Sequence, residues 1–296
     1  PPQTPKIPKK TIPFNPKKIQ FNPNSNVPNY PTYHTISTTI IMKIAILGLG
    51  EAGSHFANDL SKKGVQIIGF DPNLKKNLDS SVVLAKSNPA AAEKADIILS
   101  VNLSTVSETV AREVAPILNP KQIYVEMNTI SPQAKQLIFN ILEKTGVQYV
   151  DLAIMAPVPP KGILTPFWVS GNGAKAFYEK LAHLNLNIKV LSDQVGEASK
   201  LKLLRSIVYK GVAAVVCEAV EAGKAFGLEP YIREQIKSIL GQEDALIDRF
   251  IEGSVTHAER RMHEMEAVVS MLKSVDIQPF MSQAAHHNLH KLLKSV

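Results

Sequence analysis

Short apolar runs alternate with longer amphipathic segments from residue 42 to about residue 191. The apolar runs have the length of buried strands, and the segments between them have the spacing of helices that cover a sheet. Strands are predicted at 43–47, 66–70, 82–84, 96–101, 123–127, 149–154, 167–170 and 188–191. Helices are predicted between them at 52–63, 90–94, 106–118, 131–144 and 174–184. This alternation predicts an α/β fold with a doubly wound parallel sheet.

The pattern changes after residue 191, where the strand signals stop. A long helix is predicted from Gly196 to about Phe226, with Gly227 as its stop signal. Further helices are predicted at 230–240, 243–251, 254–273 and 279–295. The long helix is apolar on most of its faces, which predicts that other helices bury it. Its apolar surface is larger than one small helical domain can cover, which predicts a homodimer. The predicted domains are therefore a sheet domain at 42–193 and an all-α domain at 194–296.

Residues 1–41 differ in composition from the rest of the chain. They hold nine of the 20 prolines, five lysines and no acidic residue. Such a segment buries too little apolar area to offset its ordering entropy, so it is predicted to be disordered. A transit peptide is also poor in acids, but this segment has no arginine and no amphipathic pattern. Its lysines account for five of the seven net positive charges, so the basic balance does not indicate a nucleic-acid partner.

The first predicted strand runs directly into a G-x-G-x-x-G motif at residues 48–53, and a helical pattern follows. In this position Gly48 permits a tight turn, Gly50 lets the backbone approach a pyrophosphate, and Gly53 lets helix and strand pack closely. The backbone N–H groups and the helix dipole would hold the phosphates. The predicted cofactor-binding residues of this loop are Gly48, Leu49, Gly50, Glu51, Ala52 and Gly53. The strand-turn-helix context predicts a Rossmann domain with a dinucleotide site.

An acidic residue at the end of the second predicted strand completes this motif. Asp71 lies eighteen positions after Gly53, where a carboxylate accepts hydrogen bonds from a ribose 2′-hydroxyl. The same carboxylate repels a 2′-phosphate, which favours NAD over NADP as the cofactor. Lys75 and Lys76 follow closely and would soften this preference, so NADP is retained as the alternative cofactor.

Polar residues follow two further predicted strands. Asn102 and Ser104 follow the fourth strand, and Asn128 and Thr129 follow the fifth. Ligands of open α/β sheets bind outside the carboxyl ends of the strands. We therefore predict that Asn102 contacts the cofactor and that Asn128 and Thr129 contact the substrate.

Three more segments carry a resemblance to a known family. Residues 125–132 look like its strand-end substrate motif, residues 151–160 lie where it has a second substrate loop, and residues 196–202 lie where its long helix carries a catalytic lysine. With the glycine motif, these segments resemble the β-hydroxyacid dehydrogenase superfamily, which includes 3-hydroxyisobutyrate and 6-phosphogluconate dehydrogenases. The resemblance runs from Met42 to about Ser295. It implies a Rossmann domain followed by a 6-phosphogluconate dehydrogenase-like helical domain.

The match is closest to a less characterised branch of this superfamily. That branch has its own helical C-terminal domain, a lysine-glycine pair that matches Lys210 and Gly211, and a later helix motif that resembles residues 260–265. Its members are usually described only as NAD(P)-binding oxidoreductases. The resemblance therefore implies the type of chemistry and leaves the substrate open.

The resemblance implies that Lys202 is the catalytic residue, a general base in oxidation and a general acid in reduction. Burial on an otherwise apolar helix lowers the pKa of a lysine toward neutrality, which suits both roles. From periodicity alone, a lysine at this position is more often a surface residue whose stem covers apolar neighbours.

The chain departs from the better-known members of the superfamily in two places. Arg205 and Ser206 stand where those members have an Asn pair. Met155, Ala156 and Pro157 stand where their second loop has Ser-Gly-Gly, and proline has no N–H to offer a carboxylate. Arg205 is therefore predicted to hold a substrate carboxylate or phosphate, since guanidinium binds both bidentately.

Ser206 and Lys210 share the polar stripe of the predicted catalytic lysine and are predicted to contact the substrate as well. An alternative remains open for the two cations of this stripe. Arg205 and Lys210 would then form salt bridges with Glu197 or Glu218 and have no contact with the substrate.

The histidines of the chain do not predict a metal site. One cluster near the C-terminus has no carboxylate close in sequence to complete a zinc set, and it comprises His286, His287 and His290. A second cluster is cationic and comprises His257, Arg260, Arg261 and His263. We expect this second cluster either to reach an anionic substrate from a partner subunit or to form an exposed face.

Together these features predict an NAD(P)-dependent dehydrogenase that transfers hydride between a nicotinamide cofactor and a small anionic β-hydroxy acid. Two alternatives are a nucleotide-binding regulatory or scaffold protein without turnover and an imine reductase-like enzyme. No apolar run is long enough to span a membrane, and Cys217 is the only cysteine, so no intrachain disulfide is expected. These properties favour a cytoplasmic protein without a membrane or nucleic-acid partner.

Overall fold

An eight-stranded sheet lies at the centre of the computed structural model, which describes residues 42–241 and 244–294. The strands are β1 (Lys43–Leu47), β2 (Gln66–Phe70), β3 (Val83–Leu84), β4 (Ile97–Ser100), β5 (Ile123–Glu126), β6 (Gln148–Ile154), β7 (Phe167–Ser170) and β8 (Ile188–Ser192). Their order across the sheet is β3-β2-β1-β4-β5-β6-β7-β8. The chain thus builds outward from β1 in both directions, the doubly wound arrangement expected from the sequence. The predicted disordered segment, residues 1–41, lies outside the described residues.

The first six strands run parallel to one another, and the last two run the opposite way. β7 pairs with β6 in antiparallel fashion, and β8 is parallel to β7. The sequence-based expectation of a wholly parallel sheet is therefore wrong for these two strands. Parallel neighbours need a long crossover, usually a helix. Only a short 3₁₀ turn, Gly162–Leu164, lies between β6 and β7, so the chain turns back beside β6.

Helices cover both faces of the sheet. They are α1 (Glu51–Lys62), α2 (Asn88–Ala92), α3 (Ser107–Val114), α4 (Pro132–Glu143) and α5 (Ala174–Leu181). One apolar core lies under α1 and α5, and a second lies under α2, α3 and α4. In the first core, Phe56 of α1 packs edge-on against Phe167 of β7 with ring centroids 5.6 Å apart. Such a contact contributes about 0.5–1.5 kcal/mol beyond area burial and helps to fix the helix that follows the glycine loop.

The described residues after the sheet form five helices. They are α6 (Glu197–Ala225), α7 (Glu229–Leu240), α8 (Asp244–Thr256), α9 (Ala258–Lys273) and α10 (Phe280–Leu293). Helix α6 has 29 residues and contacts each of the other four. The change from strand to helix falls between Ser192 and Glu197, and the domain boundary at residue 193 stays a prediction. None of the described helices is long and apolar enough to cross a membrane.

The break between α8 and α9 lies at His257, later than the break predicted at 252–253. Gly253 is helical, and its packing explains why glycine stands there. A Cβ at this position would lie 2.5 Å from Nη2 of Arg261. The buried guanidinium of Arg261 uses this space, and its Nη1 donates a hydrogen bond to Oγ of Ser254 at 2.9 Å. Gly253 therefore permits close packing and does not end the helix.

Candidate active site

The glycine loop between β1 and α1 has the geometry that its motif predicts. Gly48 has a φ of +104°, and a Cβ there would lie 2.7 Å from Cα of Asn102. A Cβ on Gly53 would lie 1.9 Å from the carbonyl oxygen of Gly48. Side chains are therefore excluded at both positions, by the turn at Gly48 and by the close approach of helix and loop at Gly53.

Gly50 differs from the other two glycines of this loop. No protein atom lies within 4 Å of a Cβ placed there, and α1 begins at the next residue, Glu51. In the described structure no side chain caps this end of α1, so its first N–H groups remain for another acceptor. A glycine at this position lets a ligand come close to the backbone. The pyrophosphate of a dinucleotide is such a ligand.

Asp71 lies beside this loop, directly after β2. Its Oδ2 accepts a hydrogen bond from the N–H of Leu49 at 2.8 Å, and its Oδ1 accepts one from the N–H of Asn73 at 2.8 Å. Leu49 is buried against Gly69 of β2, where a Cβ would lie 2.9 Å from Cδ1 of Leu49. The carboxylate is thus fixed next to the glycine loop, as the sequence leads us to expect. Its contact with a ribose stays a prediction.

A cleft of about 570 Å³ opens beside the glycine loop. One wall is formed by the start of α1 and by the loops that follow β4, β5 and β6 at the carboxyl edge of the sheet. The other wall is formed by α6 and α9. Six of the predicted site residues line the cleft, namely Glu51, Ala52, Asn102, Asn128, Thr129 and Lys202. The fold therefore brings predicted cofactor residues and predicted substrate residues together, in a volume typical of small-molecule sites.

Asn128 is held in one orientation at the cleft wall. Its backbone N–H and its Nδ2 donate to Oε1 of Glu126 at 2.9 and 2.7 Å. Nδ2 also donates to Oδ1 of Asn102 at 3.1 Å, so both side-chain N–H groups are used. Oδ1 of Asn128 has no donor among the described residues. Asn128 therefore offers the cleft a hydrogen-bond acceptor.

A buried ionic group lies beneath Asn128. Glu126 and Lys135 are both fully buried, and Nζ of Lys135 donates to the carbonyl oxygen of Glu126 at 2.8 Å. Burial raises the pKa of the Glu126 carboxyl, and the positive charge of Lys135 opposes this effect. Lys135 also pairs with Asp151 of β6 at 3.1 Å. Sequence reasoning missed Lys135, although its place on the apolar stripe of α4, three residues before Ile138, was a usable signal.

The first turn of α6 is tied to the sheet by buried side chains. Oδ2 of Asp151 accepts a hydrogen bond from the N–H of Ser199 at 2.9 Å, and Oδ1 accepts one from the Ser199 hydroxyl at 2.7 Å. Oγ of Ser170 on β7 accepts one from the N–H of Ala198 at 3.0 Å. These bonds satisfy N–H groups at the start of the helix and place a carboxylate at its positive end. They set the position of Lys202, which follows within one turn.

Lys202 extends from α6 into the cleft, where a catalytic lysine is expected. Its Nζ donates a hydrogen bond to Oγ1 of Thr129 at 2.7 Å. Burial lowers the pKa of Lys202 to about 8, although the negative charge of Glu264 acts in the opposite direction. With such a pKa, one amine can both accept and donate a proton near neutral pH. Lys200, two residues earlier on the same helix, is exposed.

Glu264 of α9 lines the cleft and was missed by sequence reasoning. It is buried, forms a salt bridge with Lys210, and accepts a hydrogen bond from Nη1 of Arg260 at 3.1 Å. Burial alone would raise the pKa of Glu264, but the charges of Lys210, Lys202 and Arg260 outweigh it and lower the pKa to about 2. Glu264 is therefore ionised among these cations. Its spacing of four residues from Arg260 was the available signal.

Arg205, predicted to hold the substrate, is not part of the cleft lining in the described chain. Its side chain is exposed, and Nη1 donates a hydrogen bond to the carbonyl oxygen of Met155 at 2.8 Å. This bond ties α6 to the loop after β6. The guanidinium therefore supports that loop and is not placed to hold a ligand in the cleft.

Ser206 and Lys210 are also absent from the cleft lining within the described ranges. Ser206 is buried and accepts a hydrogen bond from Nζ of Lys210 at 3.1 Å. The salt bridge of Lys210 goes to Glu264, whereas the alternative drawn from the sequence named Glu197 or Glu218. Both residues lie behind the cleft wall because the turn of α6 that carries them packs against α9. The geometry therefore does not support their predicted contact with the substrate.

The cationic cluster on α9 faces the cleft of its own chain. His257, Arg260 and His263 line the cleft, each three residues from the next and therefore on one side of the helix. Arg261 is the exception, because its guanidinium is buried against α8. The sequence led us to expect that this cluster reaches the substrate of a partner subunit or forms an exposed face. In the structure, three of its four residues line the cleft of their own chain. Within the described ranges, no group of three or more His, Cys, Asp or Glu could hold a metal ion.

The loop between β6 and β7 closes one end of the cleft through residues 156–159. This loop is anchored to α1, since Oδ2 of Asp59 accepts a hydrogen bond from the N–H of Ile163 at 2.9 Å. Gly162 makes the approach feasible, because a Cβ there would lie 1.9 Å from the same carboxylate oxygen. The helix that follows the glycine loop and the loop between β6 and β7 are therefore connected directly.

Comparison with known proteins identifies two segments of the chain. Residues 43–158 match the family described as the NAD binding domain of 6-phosphogluconate dehydrogenase. Residues 224–292 match a domain of unknown function, DUF1932. The first segment contains the glycine loop and the strand-end residues of the cleft, and the second contains α9.

The relatives of the chain include both uncharacterised proteins and dehydrogenases. An uncharacterised 28.5 kDa protein of Methanothermus fervidus is 27% identical over 246 residues, which cover 81% of this chain and 94% of that protein. The 2-(hydroxymethyl)glutarate dehydrogenase of Eubacterium barkeri is 24% identical over 230 residues, 71% of this chain and 74% of that enzyme. A solved structure of a conserved protein of unknown function, described as structurally similar to 3-hydroxyacid dehydrogenases, has a TM-score of 0.66 at 28% identity and covers 85% of this chain and 96% of its own. These matches confirm the resemblance predicted from the sequence and indicate a nicotinamide-dependent oxidoreductase.

Proposed function

We propose that this chain, which belongs to the β-hydroxyacid dehydrogenase superfamily, oxidises a small anionic hydroxy acid, or reduces the matching oxo acid, with NAD(P). The observation that carries the proposal is the position of Lys202, whose Nζ lies 2.7 Å from Oγ1 of Thr129 in the cleft beside the glycine loop. A lysine with a pKa of about 8 at this place suits the proton transfer that accompanies hydride transfer.

Lys202 serves as general base in oxidation and as general acid in reduction. In oxidation, the neutral Nζ takes the proton of the substrate hydroxyl. The C–H bond of the carbon that bears this hydroxyl breaks, and its hydride leaves for the nicotinamide. In reduction, the protonated Nζ returns that proton to the oxygen of the carbonyl group. A bound nicotinamide supplies the hydride acceptor or donor. Asn128 and Thr129 orient the hydroxyl group beside the amine.

The substrate class follows from the cleft and from one relative. The cleft has a volume of about 570 Å³, and its described lining holds a lysine, an arginine and two histidines together with three glutamates. Only Glu264 of these glutamates is buried, and it is paired with Lys210 and Arg260. A small molecule whose negative charge is received by Arg260 fits such a site. The Eubacterium barkeri relative is named for 2-(hydroxymethyl)glutarate. We therefore place a hydroxyl group and at least one carboxylate in the substrate of this chain.

NAD is the proposed preferred cofactor. The carboxylate of Asp71 is fixed beside the glycine loop by the N–H groups of Leu49 and Asn73. A carboxylate held there accepts the ribose hydroxyls of NAD and repels the 2′-phosphate of NADP. NADP would bind more weakly at the same site.

The alternative of a protein without turnover rested on two departures, the replaced Asn pair at Arg205 and Ser206 and the altered second loop. Neither Arg205 nor Ser206 lines the cleft in the described chain, so the first departure removes no group from the site. The altered loop does line the cleft, through residues 156–159. Lys202, in contrast, is in place.

Titration of the full chain with NADH and NADPH tests this proposal. Trp168 on β7 is the only tryptophan, so its excitation should give saturable energy transfer to a bound reduced nicotinamide. We expect micromolar affinity for NADH, weaker affinity for NADPH, and a smaller difference in Asp71→Ala. Equal affinity in the native chain would contradict the assignment of NAD. If neither nucleotide binds, by this signal or by calorimetry, the proposed function is wrong.

We also propose that the protein forms a homodimer through α6. Leu204, Val208 and Val215 remain 45, 67 and 58% exposed on this helix. Spacings of four and seven residues place them on one face. A twofold axis that pairs this face with itself would bury all three side chains in both copies.

A further inference from the structure

We propose that α9 provides the carboxylate-binding subsite of the cleft, with Arg260 as its anchor and His257 and His263 beside it. This inference rests on the proposed function, because it names the part of the cleft that receives the anionic group of the substrate. It assigns a role to a helix of the DUF1932 segment, for which the family description gives none.

The other candidates for an anion receptor are less suited to this cleft than α9. Arg205 is bound to the carbonyl oxygen of Met155 outside the lining of the described residues. The loop after β6 lines the cleft with residues 156–159, two of which are prolines without an N–H. The basic residues in the described lining are Lys202, His257, Arg260 and His263. Since Lys202 is assigned to the hydroxyl group, Arg260 of α9 remains as the cation for the carboxylate.

Arg260 has donors available for a ligand. Its Nη1 donates to Oε1 of Glu264 at 3.1 Å, and this bond fixes the orientation of the guanidinium. Nε and Nη2 have no partner among the described residues, and 57% of the side chain is exposed. A guanidinium carries five N–H donors in a planar fork that matches a carboxylate. Arg260 can therefore keep Glu264 and bind a ligand at the same time.

The charge balance of this wall also favours an anion. Glu264 is the only buried carboxylate in the described lining, and three cations surround it: Lys202, Lys210 and Arg260. These three cations share the one carboxylate of Glu264, and a carboxylate bound at Arg260 would add negative charge beside them. The remaining carboxylates of the described lining are exposed and screened by water, and they are Glu51 and Glu259.

Two bound molecules carry anionic groups that could meet Arg260, namely the substrate with its carboxylate and the cofactor with its pyrophosphate. We assign Arg260 to the substrate, because the glycine loop around Gly50 and the uncapped start of α1 already provide N–H donors for the pyrophosphate. A hydroxy acid whose hydroxyl group lies at Lys202 on one wall would extend its carboxylate toward α9 on the same side of the cleft.

Malonate is a suitable probe, since it has carboxylates and no hydroxyl group to oxidise, and malonamide is its neutral counterpart. We would measure the thermal unfolding temperature of the full chain as each probe is added, with and without saturating NADH. Three proteins are compared, namely the native chain, Arg260→Met and Arg112→Met. Arg112 is a matched control because it also pairs with a glutamate four residues away and is 58% exposed, yet lies on α3.

Malonate should stabilise the native chain and Arg112→Met in a saturable way, and malonamide should not. In Arg260→Met the affinity for malonate should fall by about tenfold or more, because a charged bidentate contact is lost. The affinity for NADH, measured separately by energy transfer, should be unchanged in both variants.

Three results would overturn the inference. They are a native chain that malonate does not stabilise, equal malonate affinity in the native chain and Arg260→Met, and a loss of NADH affinity in Arg260→Met, which would assign the arginine to the cofactor. The proposed function fails by a different observation, namely a native chain that binds no nicotinamide nucleotide. The two failures are therefore distinguishable.

Discussion

Opposing effects set the pKa of Lys202 at the scale of single residues. Burial lowers it, because the charged ammonium loses contact with water, and the carboxylate of Glu264 raises it. Lys210 and Arg260 lower it again, and both of these residues are bound to Glu264. Glu264 therefore acts on proton transfer through Lys202 and is a positioning residue in this account.

Replacement of Glu264 by glutamine removes the charge and retains the shape. The pKa of Lys202 should fall further, by about one unit or more. Oxidation needs the neutral amine, so the acid limb of kcat/KM for oxidation should move to lower pH. Reduction needs the protonated amine, so its alkaline limb should move to lower pH as well. Profiles of kcat/KM against pH in both directions measure these shifts.

A matched control for this experiment is Glu221→Gln, which changes an exposed glutamate that binds Lys291 on the surface. It should leave both limbs at their native positions. Limbs that do not move in Glu264→Gln would show that the carboxylate has no influence on the catalytic proton. In that case the role assigned to Glu264 would be lost, while Lys202 would remain the candidate base.

Residues whose roles depend on neighbours in the sequence could be predicted. Gly48 and Gly53 belong to a local motif, and in the structure backbone atoms occupy the space where their side chains would be. Glu264 and Lys135 could not be assigned in this way, because their roles depend on which distant element they face. Lys135 lies on the apolar face of α4, and only the fold shows that it pairs with Asp151 and donates a hydrogen bond to the carbonyl oxygen of Glu126.

Element types followed from periodicity, whereas directions and ends depended on packing. The strands that the sequence predicts are all present, but β7 turns back because no helix connects it to β6. The end of α8 was predicted at residue 251, but the helix continues to Thr256 through Gly253. Its lack of a side chain serves Arg261 on the next helix, a contact that no local pattern reveals.

The attachment of α6 to the sheet is another feature beyond the reach of local pattern. Ala198 and Ser199 lie in the first turn of α6, and nothing in their local sequence indicates a partner for their N–H groups. The N–H of Ala198 donates to Ser170 on β7, and the N–H of Ser199 donates to Asp151 on β6. These bonds require β6 and β7 to lie side by side. The sequence therefore predicts that α6 exists and carries Lys202, and the assembled sheet determines where Lys202 is placed.

At the scale of the whole molecule, the exposed apolar face of α6 predicts the oligomeric state. Light scattering during size-exclusion chromatography should give twice the chain mass of 32.4 kDa. Val208→Asp should shift the protein to monomer, because it places a charge in the centre of the proposed interface. Val83→Asp, on a half-exposed position of the edge strand β3, should leave the dimer intact. A native monomer, or a dimer that is insensitive to Val208→Asp, would contradict this interface.

The cleft depends on both halves of the described molecule. The sheet edge provides Asn128 and Thr129, α9 provides Arg260 and Glu264, and Lys202 lies on the helix between them. The two family matches end before Lys202 and begin after it, at residues 158 and 224. Neither family match covers Lys202, and the proposed function depends on the position of this residue in the cleft.

Comparison of Lys202→Met with Lys200→Met tests the proposed catalytic role of Lys202. Both lysines lie on the first turns of α6, but Lys200 is exposed and Lys202 lines the cleft. Turnover of a panel of 3-hydroxy acids would be measured for the full chain with saturating NAD. Lys202→Met should lose about 100-fold or more in kcat and keep its affinity for NADH, whereas Lys200→Met should match the native chain. Native turnover in Lys202→Met, on any acid that the native chain oxidises, would contradict the account.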